Sequence, residues 1–571
     1  MTKFKYIILG ICIICGSMSC SKMLETESDL VEFEEDHTLN HATDSVYSVM
    51  GIINKMQIIA DRVVLLGEVR GDLVETTAAA SADLKRLSAF DFDGENRYNQ
   101  ISDYYAVINN CNYFLAHIDT AMERRGRNLF LREYAVVKSY RAWTYLQLAQ
   151  IYDKVPLILK PLMTEKDARE AMNQPYADIR EICNTFIDDL TPYAGVNLPE
   201  YGSVANSNPK YMFIPMRALL GDLCLWAGRY QEAARWYHDY LTDKYDPIMM
   251  SRQSVNWYNA TEFNSIIDSY NPLGDKSSDI IWYIPMETRV FDGTISNLQN
   301  LFNSTTENNY FYELTPSAGM KRVSAEQTYC FEISIPGATT KDTLYAPHTG
   351  IFRSELVGDL RFFSNYAYNS TGTQSDYSEY NSYMQKIYKI TPARITLYRS
   401  TMVYLRYAEA LNRAGYPQSA FAILKYGICD KILKDHVDEA ELEQAGDLVS
   451  FDPEIFRFDG TYFGVHSIGS GDSHANQYYT LPQPDTELAN RKDTVDYQIP
   501  LVEDMIVTEM ALEGSFEGYR FNDLMRVALR RNDPSYLAIP ISRRNSRTTD
   551  EFDAELRQKL MDTKNWYLPL Q

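Results

Sequence analysis

The sequence is poor in the residues by which most active sites announce themselves. Histidine occurs eight times in 571 residues, scattered, and never as H-E-x-x-H. There is no G-x-S-x-G elbow, no Gly-rich phosphate loop and no G-x-G-x-x-G after a strand. The one C-x-x-C pair, Cys12 and Cys15, sits in the apolar leader. Basic residues are also short: 55 Lys and Arg stand against 77 Asp and Glu, a net charge of −22. That balance excludes a nucleic-acid partner and an anionic membrane surface. Long apolar runs are missing as well, since the run over residues 6–15 is half of the roughly 20 residues that a spanning helix needs. These absences argue against an enzyme and against a resident metal or cofactor. Abundant carboxylates leave a glycosidase pair open to geometry alone.

Tyrosine is plentiful instead, with 43 copies in a chain that is 13% aromatic. A tyrosine offers a flat apolar face and a polar tip, suited to sugar rings and wet interfaces. The N-terminus carries a second positive signal. Lys3 and Lys5 precede the apolar run, and Gly16, Ser17, Met18 and Ser19 lead into Cys20. This is the layout of a lipoprotein signal over residues 1–19, with Cys20 lipidated as the mature N-terminus. Residues 20–38 are acidic and without a packing pattern, and read as a tether. The rest, 39–571, is expected to form one body. Of its five cysteines, Cys111, Cys183, Cys224 and Cys429 fall in helical patterns and Cys330 in a strand-like run. They read as small buried hydrophobes and not as a disulfide framework.

The fold class follows from repeated helix–turn–helix patterns. Windows 216–241 and 403–424 each hold an apolar-periodic helix, an Ala-Gly break, an aromatic, a small Ala and a second periodic helix. Gly228 and Gly415 end the first helices, and Ala233 and Ala420 allow close approach, the tetratricopeptide pattern. A helix is expected over 132–152, stopping before Pro156, and another near 175–194. Between these lie loop-rich inserts, about 246–394 and 447–500. They contain short strand-like runs, DIIWYIPM and YCFEISIP. The class is therefore mainly α: irregular tetratricopeptide-like pairs with long loops and short strands inserted. Helices that hold and loops that touch make a binding architecture.

Four ordered motifs add a resemblance. YAVVKSYRAWTYLQLAQIYDKVPLIL, DLRFFSNYAY with YMQKIYK, TMVYLRYAEALNRAG, and IVTEMALEGSFEGYRFNDLMR are similar to the motifs of the SusD/RagB family of outer-membrane nutrient-binding lipoproteins. The resemblance covers nearly the whole mature chain. It implies a lid over a TonB-dependent, SusC-like transporter that captures a glycan or, in some members, a peptide. It also implies a lipid anchor in the outer membrane, facing outward. One departure is local: Ile101 and nearby Tyr98 stand where many members carry a Trp ahead of the helix tyrosine, here Tyr105.

Candidate ligand contacts are loop aromatics beside amide or charged groups. Three clusters qualify: Arg70 and Asp72; Arg97, Tyr98 and Asn99; and Phe291, Asn297, Tyr310 and Tyr312. The charged series Glu509, Glu513, Glu517, Arg520, Asp523 and Arg526 runs at three- and four-residue spacing and reads as structural ion pairing. Arg406 and Glu409 read the same way, and the DFDGEN turn (91–96) lacks the full spacing of a calcium loop. The leading expectation is a glycan-binding lid. The alternatives are a peptide- or glycoprotein-binding member and a tetratricopeptide scaffold that only assembles other proteins.

Overall fold

A computed structural model of the chain describes residues 42–570 except 172, 204–207, 256, 259–265, 268–270, 275–276, 287–292, 335–336, 338, 340, 347–357, 369–383, 486–489 and 547–550. Cys20, the leader and the tether lie outside the described residues. No described helix is long and apolar enough to cross a membrane.

Pairs of successive helices make the scaffold. Ile101–His117 packs on Leu131–Tyr152, Met216–Ala227 on Tyr230–Leu241, Ser400–Arg413 on Pro417–Lys425, and Arg491–Gly514 on Arg520–Arg531. Both sequence-identified breaks behave as expected. Gly228 (φ 80°) caps its helix in the left-handed region, Gly415 has φ 102°, and Ala233 and Ala420 are buried at the crossings. The close approach is tighter still at Gly221, where a Cβ would sit 2.5 Å from the Tyr237 ring. Ile179–Leu190 opens on a capping box, Asp178 with Glu181.

Two helices differ from their periodic reading. Leu131–Tyr152 is buried on every side from Ala135 onward, because neighbours cover it all round and its polar residues find partners there. Tyr145 is one: its hydroxyl donates to the Ile158 carbonyl at 2.9 Å and accepts from the Ile158 amide at 2.7 Å. Helix Arg491–Gly514 starts ten residues inside the expected 447–500 insert, capped by Asn490, and runs through Pro500. Asn412 and Arg531 donate to the Ile499 and Pro500 carbonyls there.

Strands pair two by two, antiparallel. Ile280–Pro285 pairs with Arg394–Arg399, Tyr329–Ser334 with Lys341–Ala346, and Val74–Thr76 with Leu314–Pro316. On the first of these Trp282 is fully buried, its indole N–H donating to the Met212 carbonyl at 3.0 Å, while Tyr283 packs against the core partly buried. Cys111, Cys183, Cys224, Cys330 and Cys429 are buried free thiols. One hydrophobic cluster runs from Val49 to Leu568, so the first and last described segments share a core.

Charged residues at the centre of that body pair as the sequence suggests, but with distant partners. Glu513 accepts from Arg361 (3.0 Å) and Arg399 (2.8 Å), and Glu517 from Lys389 (2.7 Å) and Arg399 (2.8 Å). Glu409 accepts from Arg526 (2.6 Å) and Arg530 (2.8 Å). Asp523 with Arg526 and Asp359 with Arg361 are local pairs. Burial pushes the Glu513 carboxyl up, but Arg399, Arg361 and Lys389 outweigh it and hold the group at about 2. Burial likewise opposes Arg526 and Arg530 at Glu409, which also ends near 2.

Candidate functional site

The first candidate cluster does not face a ligand. Arg70 is fully buried, its guanidinium donating to the Leu66 and Trp566 carbonyls at 2.8 and 2.9 Å and lying 4.1 Å from the Phe521 ring centre. Burial lowers its pKa to about 10. Asp72 forms a two-pronged ion pair with Arg520 at 2.6 and 3.0 Å. Asn99 is buried too, its amide donating to the Pro569 carbonyl at 3.0 Å. These three join the N-terminal segment to the last hundred residues, and as placed they are not ligand contacts. The physical reason is satisfaction: a buried guanidinium or carboxylate needs partners, and these come from the far end of the chain.

The other clusters come together. Strand Val74–Thr76 pairs with Leu314–Pro316, which sets the loop after Thr76 beside the turn that carries Tyr310 and Tyr312. Thr77 closes the seam, its hydroxyl donating to the Tyr312 carbonyl at 2.8 Å. The Glu313 carboxylate accepts from the Ser81 amide at 2.7 Å. Arg97 reaches the same place: it donates to the Ser81 hydroxyl at 3.2 Å and the Tyr98 hydroxyl at 2.8 Å, with its guanidinium 4.9 Å from the Tyr98 ring centre. Tyr98 is buried behind exposed Arg97. Burial raises its phenol pKa and the Arg97 charge pulls it back.

A polar frame holds the aromatic turn. The Asn308 amide donates to the Asn300 and Asn303 carbonyls, both at 2.7 Å, and its oxygen accepts from the Thr305 amide at 3.0 Å. Thr305 donates to Asn300 at 2.9 Å, and Asn300 to Asn297 at 3.2 Å. Asn297 is exposed but anchored, its backbone N–H donating to Asp61 at 2.8 Å. Beyond the frame, Tyr310 is 50% exposed and Phe311 71%. Asn309 and Tyr310 both sit in the left-handed region, at φ 51° and 66°. For tyrosine that costs on the order of 1 kcal/mol and persists only where the surroundings fix it. Two aromatic rings are thus exposed on an amide-lined turn whose strand is linked through Ser81 to Arg97. Such a surface can stack on an apolar ring face and hydrogen-bond its substituents.

Phe291 lies outside the described residues. Phe311, the most exposed ring of the turn, escaped the sequence reading. Its signal is the run N-N-Y-F-Y, where an Asn-rich turn interrupts strand alternation, so no face assignment applies.

Irregular helical pairs carrying loop-borne aromatics define a class, the tetratricopeptide-like helical scaffold. Within that class the chain has the SusD-like fold. It is similar to a SusD superfamily protein from Bacteroides vulgatus (TM-score 0.55, 15% identity, covering 93% of this chain and 96% of that one). A SusD-like carbohydrate binding protein from Bacteroides fragilis gives TM-score 0.52 at 16% identity, covering 87% and 88%. A SusD superfamily protein from Bacteroides thetaiotaomicron gives 0.53 at 14%, covering 86% and 89%. No protein-family model matches the chain, and no curated protein does.

Proposed function

We propose that this protein is a cell-surface lipoprotein that captures a glycan and hands it to a TonB-dependent, SusC-like transporter. The observation that carries the reading is the Tyr310–Phe311 turn, two exposed rings on an amide frame linked through Ser81 to Arg97. The SusD-like fold supports it, because one protein of that fold is described as carbohydrate binding. Titration calorimetry against a glycan panel tests it. We expect one glycan to bind, and Phe311→Ala to weaken it about tenfold through loss of a stacking face. Binding of peptides and of no oligosaccharide would overturn the glycan reading in favour of a peptide receptor.

The anchor is part of the same proposal. Cells fed radiolabelled palmitate should label the wild-type chain in the outer-membrane fraction, and Cys20→Ala should abolish the label. A Cys20→Ala chain that still carries fatty acid would sink the lipoprotein assignment.

A further inference from the structure

A second cleft shares no residue with the face described above. A cavity of about 460 Å³ lies where helix Pro417–Lys425 ends, between helix Asp430–His436, the cap of helix Glu439–Ala445 and residues 477–481. One wall is aromatic. The Tyr426 and His436 rings stack with centres 3.7 Å apart at 12°, Tyr462 stands edge-on to both, and His474 stands edge-on to Tyr462. His436 Nε2 is buried without a hydrogen-bond partner.

The carboxylates at this cleft are already engaged. Asp438 caps helix Glu439–Ala445 at 2.8 Å and accepts from Gln418 (2.6 Å) and Arg491 (2.7 Å). Asp435 accepts from Lys431 (2.5 Å) and the Tyr462 hydroxyl (2.7 Å). Lys425 differs. It lines the cavity, is 2% exposed, and donates to the Tyr479 carbonyl at 2.7 Å. Among the described residues no carboxylate lies within 4.0 Å of it. A buried ammonium without a counter-charge is costly, and burial lowers its pKa. Thr480 and Gln477 add hydroxyl and amide groups to the same lining.

We infer that this cleft takes a carboxylate borne on a sugar ring, the uronic-acid class, with Lys425 as its counter-charge and the aromatic wall beside the ring. The volume lies within the usual range for small-ligand sites. The sugar half of this inference rests on the glycan reading above; the carboxylate half does not.

The test is calorimetry on the full mature chain with glucuronate, glucose and lactate as probes. We expect glucuronate to bind roughly tenfold or more tightly than either other probe. Lys425→Met should remove that preference, whereas Lys425→Arg and Phe311→Ala should keep it. Equal affinity for glucuronate and glucose, or glucuronate binding unchanged in Lys425→Met, overturns the site. Lactate binding as tightly as glucuronate overturns its assignment to a sugar. If Lys425→Met does not fold, the wild-type preference and its retention in Lys425→Arg still decide. A chain that binds neutral glycans but not glucuronate loses this inference and keeps the proposed function. A chain that binds lactate and glucuronate through Lys425 but no neutral glycan loses the proposed function and the sugar assignment and keeps only the carboxylate site.

Discussion

Arg399→Ala should destabilise the protein by about 3–5 kcal/mol, the usual result of removing one partner from a buried ion pair. Arg399 is fully buried and donates to Glu513, Glu517 and Asp279. Its loss leaves three carboxylates in the core with one cation fewer, Arg361 remaining at Glu513 and Lys389 at Glu517. Urea unfolding measures the effect, and a loss under 1 kcal/mol would show that the cluster is not holding the core. The pH dependence has a definite sign. Glu513 is held near 2 against an ordinary 4.5. Its stabilisation is therefore complete above about pH 4.5 and is lost as pH falls from there toward 2. In Arg399→Ala that acid sensitivity should shrink, because the depressed pKa has lost its largest opposing charge.

Glu68→Gln should act in the other direction, raising stability at pH 8 by about 1–3 kcal/mol and leaving it unchanged at pH 4. Glu68 is fully buried at the end of the first helix and accepts from the Gly518 amide at 2.8 Å. Burial raises its carboxyl from 4.5 to about 7. A raised folded-state pKa means that the folded protein favours the protonated form. The contribution of Glu68 to stability is fully present below about pH 4.5 and is lost as pH rises through about 7. Glutamine keeps the acceptor and removes the buried charge. Thermal melts at the two pH values decide, and equal shifts at both would reject the mechanism.

The scaffold was legible in sequence because its signals are local. Ala-Gly breaks, small crossing residues and a 3.6-residue period all act within about thirty residues of chain, and windows 216–241 and 403–424 fold accordingly. The charged motifs were legible in role but not in partner. Glu513 looks like a helix-face residue, yet the groups that satisfy it stand more than a hundred positions away at Arg361 and Arg399. Arg70 and Asp72 misled for the same reason. In sequence they sit in a polar, glycine-containing stretch that resembles an exposed loop, and only the return of Arg520 and Trp566 buries them. The exposure of Tyr310 was legible because an Asn- and Thr-rich turn precedes it. The Lys425 cleft was not, since its walls come from segments with no shared pattern.

The first helix, Ala42–Glu68, spans 27 residues, or about 40 Å of rise. It is packed along most of that length through Val49, Ile52, Ile53, Met56, Ile59, Ala60, Val64, Leu65 and Leu66. Its far end is locked where Gly67 meets Gly518, so closely that a Cβ on Gly67 would lie 1.8 Å from the Gly518 oxygen. Mechanically this is a spliced joint. A pull along the helix axis from the chain ahead of Ala42 loads every one of these contacts in shear, so they must fail together. The first helix therefore resists an axial load as one unit and does not peel away from the body turn by turn.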